Sequence, residues 1–198
     1  MTEWLIASNN NLKTLDLQKD LRFFGLKAAQ YTDFFDPVEF PAETTDSYQT
    51  NATNKATFLS NKILRPVISD DSGIEIPALP DVLGVTTKRE LHQDETKSDN
   101  QTLLDLMTDL PEKKRMAKMI TYLAAVDQQG RVITAKGEVT GRISHQDHGT
   151  YSSGFDKIFF ILELGKTLAQ LPDDQRIPLT HRGRAAKNLI QLIKDEDR

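Results

Sequence analysis

The spacing of apolar and polar positions changes along the chain, and those changes mark out its elements. A short apolar run at residues 4–7 stops at Ser8-Asn9-Asn10-Asn11, after which Leu12, Leu15, Leu21 and Phe24 recur at roughly helical intervals. That pattern predicts strand, polar turn and helix. Ala52, Ala56, Leu59 and Ile63 recur at spacings of four, three and four, predicting a second helix within residues 44–64 that carries Asn51 and Lys55 together on an adjoining face. Thr45 or Ser47 is its expected cap. Pro66-Val67-Ile68 reads as a strand that runs into Ser69-Asp70-Asp71-Ser72-Gly73, expected to be a turn, so that the carboxylates stand at a strand end. Residues 102–107 suit a short helix, 119–123 a strand, and 131–134 and 139–143 two strands flanking Gly137. The tail returns to helix, with Ala185, Leu189, Leu192 and Ile193 on one stripe.

Helices and strands alternate in the first half before strands dominate, which predicts a mixed α/β fold. The expectation is a single domain over residues 1–198, made of two lobes on one long sheet flanked by helices, with a central cleft. The polar stretch 86–111 is the expected lobe boundary. Across 198 residues, 38% hydrophobic side chains supply a core, and 25 basic against 29 acidic residues give a net charge of −4. No global excess of positive charge invites nucleic acid or an anionic membrane, so a polyanion has to be held by a local basic cluster. Cysteine is absent, which excludes disulfides, thiolate nucleophiles, cysteine-held zinc and iron–sulfur clusters. The start of the chain lacks the basic region of a signal peptide, and no stretch approaches the roughly 20 apolar residues of a membrane span. A cytoplasmic protein is expected.

The segments that carry chemistry are few. Adjacent Asp70 and Asp71 suit a hard cation such as magnesium and the activation of a water, although Asp-Asp-Ser-Gly alone is also an ordinary turn sequence. Ser8, Asn9 and Asn10 lead into a helix whose backbone N–H groups, completed by Lys13, make a cradle for phosphate; the same residues also suit a plain capped helix. Thr180-His181-Arg182-Gly183-Arg184 places cations at a helix start, where the helix dipole disfavours them, and so points to an anionic or carbonyl-bearing partner. Tyr151-Ser152-Ser153-Gly154-Phe155-Asp156-Lys157 joins an aromatic ring to a carboxylate acceptor, the ingredients of purine recognition, and equally suits a hairpin entering a buried strand. His145 and His148 lack a third ligand and read as loop histidines.

In this order the segments resemble the motifs of the inosine triphosphate pyrophosphatase family, hydrolases of non-canonical purine nucleoside triphosphates, from Leu5 to about Leu192. Ser8 to Lys13 resembles T-G-N-x-x-K, Thr50 to Ala56 resembles E-N-A-x-x-K-A, and Asp70 to Ile74 resembles D-D-S-G-L. Leu83 to Arg89 resembles P-G-V-x-S-A-R, Ser152 to Phe159 resembles G-F-G-Y-D-P-I-F, and Thr180-His181-Arg182 resembles S-H-R. The resemblance implies magnesium-dependent hydrolysis between the α and β phosphates of substrates such as ITP, dITP and XTP, and a homodimer. By the same resemblance Asp71 is general base and metal ligand, Asp70 its neighbour at the metal, and Ser72 a substrate contact. Lys13, Lys55 and Arg176 hold the triphosphate, Asp156, His181 and Arg182 read the purine, and Phe155 stands in the aromatic place beside it.

The chain departs from the pattern at the site itself. Thr50 replaces a glutamate expected at magnesium, Ser153 replaces the ring that stacks on the base, and Asn9 replaces the glycine of the phosphate turn. Lys157 replaces a proline, Arg176 a lysine, and Gln170 the glutamate of T-x-A-E-L. These departures favour two alternatives to the leading reading: a nucleotide-binding protein with attenuated hydrolysis, and a pyrophosphatase with altered nucleotide specificity. Glu43 is an acid that can compensate for Thr50.

Overall fold

The structure is a computed structural model that describes residues 3–44, 46–80, 83–85, 91 and 96–196. One seven-stranded sheet has the order β2-β1-β3-β4-β5-β6-β7. Its strands are β1 (Trp4–Ile6), β2 (Ala28–Gln30), β3 (Val67–Glu75), β4 (Met116–Val126), β5 (Val132–Ile143), β6 (Phe159–Ile161) and β7 (Lys166–Thr167). Strand β1 lies parallel to both β2 and β3, whereas β6 runs antiparallel to β5 and β7, so the sheet is mixed. The described helices are α1 (Asn11–Phe23), α2 (Tyr48–Ile63), α3 (Asp99–Leu106), the single turn α4 (Asp173–Arg176) and α5 (His181–Glu196).

The chain forms two compact units, the first comprising residues 1–72, 121–137 and 181–198 and the second residues 73–120 and 138–180. It passes between them inside β3, β4 and β5 and again just before α5. The division therefore falls within three strands and at the start of α5, and not in the polar stretch 86–111 where the sequence suggested a boundary. Of that stretch, residues 86–90 and 92–95 lie outside the described residues, as do Thr45 and the Thr86 to Arg89 part of the Gly84 motif.

In the first unit the alternation of a strand sorts side chains onto two layers. Leu5 and its β3 neighbour Val67 meet Ala52, Ala56 and Leu59 of α2 on one face. Ile6 and its neighbour Ile68 meet Leu17 and Leu21 of α1 and Ala185, Ala186, Leu189 and Ile190 of α5 on the other. The second unit has its own core, in which Leu103 and Met107 pack with Met119, Val139, Ile143, Phe159 and Leu168.

Three local expectations change. Asp70 to Gly73 do not form a turn, because β3 continues through them to Glu75. Residues 132–143 are one strand, not two, and Gly137 sits in its middle for a packing reason. A Cβ there would lie 2.1 Å from the His181 carbonyl oxygen and 2.3 Å from the Ala185 nitrogen, so only a bare backbone admits α5. Finally, α1 buries Thr14, Leu17 and Leu21, while Leu12 and Leu15 are 74% and 57% exposed. On α5 the buried stripe is Ala185, Ala186, Leu189 and Ile190, and Leu192 faces outward.

Candidate active site

The site is assembled from short polar breaks beside well-packed elements. Asn10 caps α1, its Oδ1 accepting from the Lys13 N–H at 3.1 Å, and its own N–H donates to Ser8 Oγ at 3.1 Å. Asn9 Nδ2 donates to the Val38 carbonyl at 2.9 Å, and Asn9 Oδ1 accepts from the Tyr31 hydroxyl. The side chains of Asn9 and Asn10 are thus spent on the fold, leaving an anion the N–H groups of the helix start and the Lys13 ammonium. Asn9 does not adopt a positive φ, so its backbone makes no demand for the glycine seen in the resembling motif.

Asp70 and Asp71 are each only 5% exposed, and their hydrogen bonds go to different partners. Asp70 Oδ2 accepts from Ser72 Oγ at 3.0 Å, Ser72 in turn accepts from Thr121 Oγ1 at 2.9 Å, and Arg182 Nε stands 3.6 Å from the same carboxylate oxygen. Burial alone would raise the Asp70 pKa, but Lys13, Arg182 and Lys55 outweigh it and hold the group ionised far below the usual carboxylate range. Asp71 Oδ2 accepts from Asn51 Nδ2 at 2.9 Å, and Asp71 Oδ1 lies 3.7 Å from Lys55 Nζ. Burial dominates at Asp71; Lys55 and Asn51 oppose it, Glu43 and Asp70 reinforce it, and the pKa is raised. Two neighbouring carboxylates are pushed in opposite directions by their surroundings, the pattern that separates a permanently charged ligand from a proton acceptor.

The cations respond in kind. Asp70 supports the charge of Lys13, but burial together with Arg182 and Lys55 prevails and lowers its pKa. Lys55 is opposed by burial and held charged by Asp70, Asp71 and Glu43, whose Oε1 lies 3.0 Å from its Nζ. Asn51 ties this edge together. Its Oδ1 accepts from the Thr44 N–H at 2.7 Å and its Nδ2 donates to the Thr44 carbonyl at 3.2 Å, fixing the segment that carries Glu43 beside Asp71. Ser47, not Thr45, caps α2, and Thr50 in its first turn is exposed.

His181 opens α5 and is 8% exposed, and among the described residues its Nδ1 has no hydrogen-bond partner. Burial, with Arg182 next, drives its pKa well below 6.5, so the imidazole is neutral at physiological pH. The unfolded chain then binds the extra proton, so stability falls as pH drops through 6.5. Thermal and urea unfolding between pH 8 and 5 should show wild type losing up to about 1.4 kcal/mol per pH unit below that point. The slope should flatten in His181→Asn; an unchanged slope would assign the proton elsewhere.

In the second unit, Asp156 Oδ2 accepts from Ser152 Oγ at 2.7 Å and from Arg176 Nη1 at 2.8 Å. Arg176 Nη2 also pairs with Asp173 Oδ1 at 2.8 Å. Among the described residues Asp156 Oδ1 accepts no hydrogen bond, so one oxygen is committed to the protein and the other is available to a ligand. Ser153 and Gly154 are exposed, and Phe155 is half-buried against the second unit's core. The capping box at Thr167 keeps both of its bonds with Gln170 in place of glutamate.

The sequence thus marked Lys13, Lys55, Asp70, Asp71, Ser72, His181 and Arg182, which the first unit gathers, and Ser153 to Asp156 with Arg176, which belong to the second. Sequence reasoning missed Thr121, whose partner Ser72 is 49 residues away, and assigned no role to Ser152 or Asp173. The last two sit four and three residues from Asp156 and Arg176, a spacing that could have revealed them.

The profile of the Ham1 family matches residues 4–192. The chain belongs to the Ham1 family. It is 35% identical over 96% of its length to the dihydroneopterin triphosphate diphosphatase of Limosilactobacillus reuteri, covering 97% of that protein. It is 30% identical over 98% of its length to the dITP/XTP pyrophosphatase of Halalkalibacterium halodurans, covering all 100% of it. The solved Staphylococcus aureus Ham1 protein superposes with a TM-score of 0.78 at 27% identity, over 99% of this chain and 100% of that one. The mixed α/β sheet is therefore the Ham1 fold, and no described helix is long and apolar enough to cross a membrane.

The chemistry of the donors suits a hard divalent cation. Magnesium is commonly held by one or two carboxylates, with substrate phosphates and water completing its shell, and Asp70 and Asp71 supply that number of carboxylates. Among the described residues no group of three or more acidic or histidine side chains is gathered as a self-sufficient metal cage.

Proposed function

We propose that this Ham1 protein hydrolyses non-canonical purine nucleoside triphosphates, dITP and XTP among them, to the nucleoside monophosphate and pyrophosphate. The observation that carries the reading is a carboxylate pair withdrawn from water yet facing Lys13, Lys55 and Arg182, with one aspartate kept charged and the other made basic. In this reading Asp71 accepts the proton of the attacking water through Oδ1, which is not engaged in a hydrogen bond among the described residues, while Asn51 fixes Oδ2. Asp70 with Asp71 would hold magnesium, which when bound neutralises charge building on the phosphates. Lys13 and Lys55 bind the triphosphate, and both stand beside the carboxylates before it arrives, so catalysis is mostly positioning and electrostatic stabilisation.

Base choice follows from donors and acceptors. His181 and Arg182, of the first unit, are read as donors to a 6-oxo group; by the family resemblance Asp156, of the second, is read as an acceptor for a purine ring N–H. Adenine reverses both. Each mismatch leaves a polar group unpaired at a cost of about 1–3 kcal/mol. Arg176 is read as the residue that holds Asp156, because its guanidinium is committed to Asp156 and Asp173; the triphosphate role implied by the resemblance is the lesser use of it.

A second reading is favoured by the Limosilactobacillus reuteri relative and by Ser153, which leaves room where a stacking ring was expected. A pterin shares guanine's amino-oxo edge, so a pterin triphosphate offers Asp156 the same ring N–H. Purified protein with magnesium should release pyrophosphate from dITP and XTP far faster than from ATP. Faster release from dihydroneopterin triphosphate than from either would select the second reading. Saturable binding of all three in calorimetry without pyrophosphate would leave a binding protein in place of an enzyme.

A further inference from the structure

The turn that carries Asp156 is bracketed from outside the site already described. It is a short 3₁₀ segment, Gly154–Lys157, that begins at a glycine with φ 58° and closes with the Ile158 N–H donating to the Phe155 carbonyl at 3.0 Å. A single short turn with a left-handed first residue has little stiffness of its own. The His148 N–H, donated to the Lys157 carbonyl at 2.9 Å, braces its end, Ser152 and Arg176 hold the Asp156 carboxylate, and a further brace is Asn100, the second residue of α3. Asn100 Nδ2 donates to the Gly154 carbonyl at 2.9 Å and to Asp147 Oδ1 at 2.9 Å. Asp147 Oδ2 in turn lies 3.6 Å from Lys157 Nζ, at the far end of the same turn. Both ends are therefore tied to one amide, and Asp156 lies between them.

Asn100 is itself held firmly. Ser98 caps α3, accepting from the Gln101 N–H at 3.2 Å, and Leu103 of the same helix is fully buried. Asn100 is 7% exposed, and among the described residues its buried Oδ1 has no hydrogen-bond partner. An amide that leaves its acceptor unpaired is placed there for its donor. We infer that Asn100 is a positioning residue for base selection: through Gly154 and the Asp147–Lys157 pair it sets where the Asp156 carboxylate stands. The inference rests on the reading of Asp156 as the carboxylate that meets the base.

Asn100→Asp keeps the shape and replaces the donor by an acceptor facing the Gly154 carbonyl and Asp147. The expected result is a KM for dITP raised about tenfold, with kcat changed less than about twofold and the preference for dITP over ATP reduced by a similar factor, one hydrogen bond's worth of discrimination. Thermal unfolding on the same samples controls for loss of fold. Asp147→Ala opens the bracket at its other end and should shift the same ratio in the same direction, so the inference stays testable should Asn100→Asp fail to fold. Gln101→Ala, an exposed neighbour on α3, should leave the ratio unchanged. A folded Asn100→Asp or Asp147→Ala with wild-type KM and wild-type preference overturns the bracket. A wild-type chain that does not distinguish dITP from ATP overturns the reading of Asp156, and the bracket with it.

Discussion

Asp71→Asn is expected to lower pyrophosphate release by about 10²–10⁴-fold while leaving the fold as stable as wild type, or more so. The loss follows from the role: an amide cannot take a proton from water. The retained stability follows from the sign of the pKa shift. Burial raises the Asp71 pKa above its unfolded value, so at neutral pH the native state holds this carboxylate ionised at a cost that the unfolded chain does not bear. Asparagine removes that charge, its carbonyl still accepts from Asn51, and Lys55 keeps Glu43 at 3.0 Å. Urea unfolding at pH 7 beside a pyrophosphate assay reads both halves. A variant that keeps wild-type turnover would move the base elsewhere, and one that unfolds readily would show that the charge is needed by the fold.

The second large effect is at Arg176. Its side chain is 8% exposed and holds Asp156, itself 12% exposed at the side chain, so Arg176→Ala leaves a carboxylate in a largely dry setting with Ser152 as its remaining hydrogen-bond donor among the described residues. Breaking a buried pair from one side costs about 3–5 kcal/mol, and the preference for dITP over ATP should fall with it. Arg176→Lys discriminates between roles. A lysine provides a point charge for phosphate but not the fork that spans Asp156 and Asp173 at 2.8 Å each. A positioning role therefore predicts that Arg176→Lys retains kcat yet loses selectivity and stability, whereas a phosphate-binding role predicts near wild-type behaviour on all counts.

The resemblance made the fold legible, and its short contiguous motifs marked charged residues that the first unit gathers. What it hid was set by contacts across the sequence. Leu12 and Leu15 have helical spacing with Leu21, but it is Leu17 and Leu21 that pack with Ile6, Ile68 and the apolar stripe of α5, and that face leaves Leu12 and Leu15 outside. Asp70 to Gly73 carry turn composition, yet remain in strand because Ser72, Thr121, Asn51 and the surrounding cations satisfy the side chains that would otherwise seek a turn. Asn100 reads as an ordinary residue near a helix start, and nothing local ties it to a carbonyl 54 positions away.

Gly137 has a comparable reach. Because nothing projects from it, the first turn of α5 lies directly against the backbone of β5, and His181 and Arg182 are carried at the height that this contact sets. A single methyl there would act as a shim under the start of α5, tilting the two side chains proposed to meet the base, so part of the proposed base selection rests on a hydrogen atom that no nucleotide ever meets.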